Sequence, residues 1–144
     1  MKNTARKFIC LIIAFCVLSA MTTAFARSSL TLSAYSAGCA AKSGGKIAIW
    51  IDVTGTYPRM DKIGSDVIYL YESTDGTYFT RVAIFEPEDY PAMLTTNTIS
   101  YYKTVATYQG IPGRYYYARV YCYAEKDGVS DSKPYETATV QAIS

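Results

Sequence analysis

The chain has 144 residues, a formal net charge of +2, 15 tyrosines and no histidine. Fourteen basic against twelve acidic residues leaves no clustered positive charge of the kind that a nucleic-acid or acidic-membrane surface requires. The lack of histidine removes Ser-His and Cys-His nucleophile pairs and imidazole metal sites from consideration.

Residues 1–26 read as a cleaved secretory leader. Lys2, Arg6 and Lys7 precede an apolar run from Phe8 to Ala20, and Ala24-Phe25-Ala26 supplies a small-x-small cleavage site. The apolar run falls short of the roughly 18 residues that a membrane span needs. Neither Cys10 nor Cys16 follows a small residue, which speaks against a lipoprotein site. Residues 27–144 then form one exported domain with no membrane attachment, and losing three basic residues turns the charge from +2 to −1.

Within that domain, strands are expected in order. Leu30 to Ala41 alternates weakly and reads as a first strand, kinked at Gly38, ending in the turn cluster Lys42 to Gly45. In Lys46 to Thr54, residues Ile47, Ile49, Ile51 and Val53 share one face, which puts Trp50 on the outside. A loop is expected over 55–65 and a third strand over Asp66 to Glu72, with Ile68 and Leu70 inward. Asp75-Gly76 then turns the chain into a fourth strand, Tyr78 to Phe85.

The acid-rich, proline-bounded stretch Glu86 to Asn97 reads as a surface crossover, followed by a strand from Ile99 to Tyr108 with tyrosines on both faces. The clearest alternation follows in the sixth strand. Tyr116, Ala118, Val120, Cys122 and Ala124 fall on one face, and Tyr115, Tyr117, Arg119, Tyr121 and Tyr123 on the other. Asp127-Gly128 supplies hairpin chemistry, and Tyr135 to Ala142 closes the sheet. Seven short strands without a helical period predict an all-β, antiparallel, seven-stranded sandwich.

In such a sandwich the third and sixth strands are neighbours. Their outward residues Tyr69, Tyr71, Tyr115, Tyr117, Arg119, Tyr121 and Tyr123 would then form one aromatic surface, suited to a partner's side chains or to sugar rings. The structural alternative is a cross-strand tyrosine ladder that only stabilises the sheet, with Arg119 stacked on it. Cys39 and Cys122 are an even pair in an exported domain, consistent with a disulfide; otherwise Cys122 is a small core residue and Cys39 a partly buried thiol. Glu86, Glu88 and Asp89 read as solvated charge without the ligand spacing of a calcium loop, and Asp61 and Asp66 as turn residues.

At Pro112 to Tyr116, P-G-R-Y-Y, followed by Ala118, Val120, Cys122 and Gly128-Val129-Ser130, the chain resembles the second half of a fibronectin type III domain, an immunoglobulin-like sandwich. Ile68 to Phe79 resembles the hairpin of bacterial members. The resemblance implies that Tyr116 is a buried corner tyrosine whose hydroxyl bonds back to the turn at Gln109 to Gly113. Trp50 departs from the pattern, since the family places a tryptophan inward on the second strand. Taken whole, with Met60 to Gly64 before the third strand, the chain is also similar to small exported Gram-positive proteins of unknown function. The functional expectation is a secreted, non-enzymatic module without cofactor or metal, contacting a cell-surface protein; the alternatives are a glycan-binding module and a self-assembling surface protein.

Overall fold

The computed structural model describes residues 29–144; the leader expected over 1–26 lies outside the described residues. Nine strands follow in order: β1 (Leu32–Ala41), β2 (Lys46–Gly55), β3 (Lys62–Ser73), β4 (Thr80–Phe85), β5 (Leu94–Thr95), β6 (Ser100–Gln109), β7 (Tyr115–Lys126), β8 (Val129–Glu136) and β9 (Val140–Gln141). They pair antiparallel in two sheets, β1-β2-β6 and β4-β3-β7-β8, with β5 beside β3 and β9 beside β7. The two strands beyond the expected seven, β5 and β9, are two-residue pieces.

Period-two patterning decides which side chains meet between the sheets. Tyr116, Ala118, Val120, Cys122 and Ala124 of β7 are fully buried, as are Ile47, Ile49, Ile51 and Val53 of β2. Met60, Ile63, Ile68, Leu70, Phe85 and Met93 complete the core. Each large aliphatic residue removed from water contributes about 1.5–3 kcal/mol, so the two alternating strands supply much of the drive to sandwich.

Local backbone chemistry explains where the structure departs from the expected bounds. The third strand begins at Lys62, four residues early. Gly64 adopts φ 146°, reserved in practice for glycine, and a Cβ there would stand 2.0 Å from the Met93 carbonyl oxygen. A bulge between Ser65 and Val67 then breaks the alternation that would have marked the strand. A second bulge leaves Val105 as an extra residue in β6, which is why its tyrosines read ambiguously: Tyr101 and Tyr108 pack on the core while Tyr102 faces out.

The final strand was expected at Tyr135 to Ala142. Instead β8 starts directly after Asp127-Gly128, whose φ values of 51° and 76° suit a two-residue hairpin turn. Pro134 is accommodated because β8 is an edge strand. At Thr137 the ladder is continued partly by a side chain, since Oγ1 accepts the Ala118 N–H at 2.9 Å and the Thr137 N–H donates to the Ala118 carbonyl at 2.9 Å. β1 shows no kink at Gly38; its pairing runs unbroken from Ala34 to Ala41.

Candidate functional site

The β3–β7 pair builds the outward tyrosine surface. Across it Tyr71 faces Tyr117, Tyr69 faces Arg119, and Val67 faces Tyr121. The Tyr71 and Tyr117 rings stack, with centroids 4.9 Å apart and planes 7° apart, and Phe79 meets Tyr117 edge-to-face at 4.9 Å. Tyr69 meets Tyr121 edge-to-face at 5.9 Å, and the Arg81 guanidinium sits 5.2 Å from the Tyr69 ring centre. All four of these tyrosines keep partial exposure.

Tyr115 and Tyr123 share the face but stand at its ends. Tyr115 lies against the backbone at Gly76, beside the β3–β4 loop, and the Tyr123 hydroxyl donates to Glu125 Oε2 at 2.6 Å. Arg119 does not stack on the rings as the ladder reading supposed. Its Nε donates to Glu136 Oε1 at 2.9 Å, and that carboxylate holds its pKa above the ordinary arginine value. Arg81 takes the stacking position instead. Neither Phe79 nor Arg81 carried a sequence signal, because both lie on a loop-to-strand junction where parity is undefined until the Leu70/Tyr71 bulge is known.

Burial raises the Tyr117 phenol pKa, helped by the Glu136 charge, so it stays a neutral hydroxyl at physiological pH. Beside it an open depression of about 290 Å3 is lined by Arg119, Tyr121, Pro134 and Glu136.

Tyr116 takes the corner role that the resemblance implied. It is fully buried, and its hydroxyl accepts the Ile111 N–H at 2.9 Å while donating to Glu72 Oε2. Arg114 pairs with the other oxygen of Glu72. The tyrosine ring also fills the place of a side chain at Gly110, where a Cβ would come within 2.9 Å of Tyr116 Cζ.

Cys39 and Cys122 are free thiols, so the bridge considered above is absent. Thr137 Oγ1 reaches Cys39 Sγ at 3.4 Å, and Thr137 is anchored to Ala118. Cys39 therefore lies level with Ala118, and Cys122 is four strand residues further on, roughly 13 Å away and well beyond disulfide reach. Burial raises the pKa of Cys39 and pushes that of Cys122 up to about 12, which leaves both thiols protonated.

Asp61 serves a turn, whereas Asp66, expected in one, lies within β3. Asp61 accepts the Asp127 N–H at 2.7 Å and Lys126 Nζ at 3.0 Å, bracing the β7–β8 turn from outside rather than turning its own segment. The Glu86 carbonyl accepts the N–H groups of Asp89 and Tyr90. Asp66 sits in the β3 bulge with Oδ1 buried and unpartnered. Among the described residues no group of three His, Cys, Asp or Glu side chains converges as a metal site. No protein-family profile matches the chain, and neither does any curated protein or solved structure.

Proposed function

We propose that the chain is an exported, non-catalytic sandwich of the fibronectin III kind that docks a protein partner on its β3–β7 tyrosine face. The observation that carries this reading is how the rings are used. Tyr71 covers Tyr117, Arg81 covers Tyr69, and Phe79 and Tyr121 close in edge-to-face. One face each of Tyr71, Tyr117 and Tyr69 is thus engaged within the protein, which leaves a visitor less open ring face than unpaired rings would offer. Rigid aromatic area with a polar rim suits side chains of another protein better than a sugar, which needs a free ring face.

The Arg119–Glu136 pair and Pro134 extend the same surface onto β8. Support for the fold identity comes from the Tyr116 corner and from the order β1-β2-β6 against β4-β3-β7-β8. A photo-crosslinking phenylalanine analogue at Tyr121 tests the reading, with Thr107 on the opposite sheet as the comparison position. The expected result is a discrete protein adduct from position 121 alone. Equal adducts from both positions, or none from 121, would count against it.

A further inference from the structure

The outer face of the β1-β2-β6 sheet carries a second aromatic site, built differently. Trp50, the single tryptophan of the chain, points away from the core between the fully buried Ile49 and Ile51, directly across from Gly38. A Cβ at Gly38 would lie 2.4 Å from Cε2, 2.4 Å from Cζ2 and 2.6 Å from Nε1 of the indole. Near-equal distances to three consecutive ring atoms place a face of the indole, not an edge, over the Gly38 Cα. The indole therefore lies down on β1.

Gly38 has no left-handed φ, so the ring rather than the backbone calls for glycine there. Ala34, Ser36 and Ala40, which share the outward side of β1, are small as well. One indole face is sealed against the strand and the opposite face looks away from it. Beside it stands Tyr102, 71% exposed, its centroid 5.9 Å from that of Trp50 and its plane tilted by 46°. Asp52 is exposed, directly across from both Tyr102 and Ser36, and takes part in none of the ion pairs among the described residues.

We propose that Trp50, Tyr102 and Asp52 form a glycan-binding subsite that takes a pyranose ring bearing free hydroxyl or amino groups. A pyranose packs its C–H face on an open aromatic face while its rim hydroxyls stay solvated. The Asp52 carboxylate accepts from donors on that rim, and its charge favours amino sugars and opposes uronic acids. Two rings splayed at 46° leave the site open on its outer side, which fits a flat ring better than a small ammonium ion that needs enclosure. This site lies on the sheet opposite the tyrosine face and does not depend on the reading of that face.

Trp50 emission reports the site without a label. Titrating the full chain with a glucosamine tetramer or with cellotetraose should give a saturable change, tighter for the amino sugar, and a galacturonic acid tetramer or choline should give none. Tyr102→Ala should weaken binding about tenfold, and Asp52→Asn should abolish the preference for the amino sugar. The Tyr117→Ala/Tyr121→Ala variant should bind as the parent does, which separates failure of this site from failure of the tyrosine face. Silence towards the glucosamine tetramer and cellotetraose alike, a response to choline or to the galacturonic acid tetramer, or full affinity in Tyr102→Ala would overturn the proposal.

Discussion

The buried hydroxyl of Tyr116 donates to the carboxylate of Glu72, so one phenol ties the end of β3 to the corner that opens β7. The same oxygen accepts the Ile111 N–H. Tyr116→Phe removes both bonds, leaving the Ile111 N–H without its acceptor and the largely buried Glu72 carboxylate with Arg114 as its remaining partner. A stability loss of about 1–3 kcal/mol in chemical denaturation is expected.

That phenol also dictates an alkaline limit. Burial, with the Glu72 hydrogen bond adding to it, pushes the Tyr116 pKa up to about 12 from an ordinary value near 10. The folded state therefore holds a proton that the unfolded state releases first. The contribution is complete below about pH 10 and falls away as the pH rises towards 12. Unfolding midpoints followed across that window should drop steeply in the parent and less steeply in Tyr116→Phe.

Asp131 fastens the first described residues to β8. Its Oδ2 accepts Ser29 Oγ at 2.7 Å and the Leu30 N–H at 2.8 Å, and the Ser29 hydroxyl bond, followed by the Leu30 and Thr31 amides, lowers its pKa. A depressed carboxylate contributes above its unfolded pKa and is lost as the pH falls through the folded one, so this clamp opens in acid below about pH 4. Hydrogen exchange at Leu30 and Thr31 should accelerate there, and Asp131→Ala should show the same acceleration at neutral pH.

Cys39 and Cys122 should behave as two separate thiols. Unfolded without reductant, the chain lacking residues 1–26 should take up two equivalents of an alkylating reagent, and folded, Cys122 should resist it. A native mass two hydrogens below the reduced form would contradict the placement of Cys39 beside Ala118.

Gly38→Ala sets two effects against each other. Alanine relieves the glycine penalty in a strand, about 0.5–1 kcal/mol, but its Cβ collides with the indole. Because Trp50 faces outward it can lift away, so the net stability change should stay within about 1 kcal/mol. A red-shifted tryptophan emission should be the clear signature.

The parity of β7 was legible because ten residues alternate without interruption, whereas the buried role of Tyr116 was legible only through the resemblance of Pro112 to Tyr116 to a fibronectin type III corner. Outward Trp50 followed from the alternation rule. Parity fails at bulges, which erased the start of β3 and blurred β6. Nothing in the sequence singles out Glu72, Arg81 or Asp131, since their partners lie 44, 12 and 102 positions away in the chain. The Trp50 platform was half visible: its direction was readable, but the glycine beneath it looked like a kink.

The tyrosine face is tested most directly by measuring stability and partner capture together in Tyr117→Ala/Tyr121→Ala. The variant loses three ring contacts, those of Tyr71 and Phe79 with Tyr117 and that of Tyr69 with Tyr121, together about 1–3 kcal/mol, so it should remain folded, with only that drop in its denaturation midpoint. It should nonetheless fail to retain the protein that the parent captures from the producing culture. Undiminished capture by the folded variant would mean that the rings serve the sheet alone.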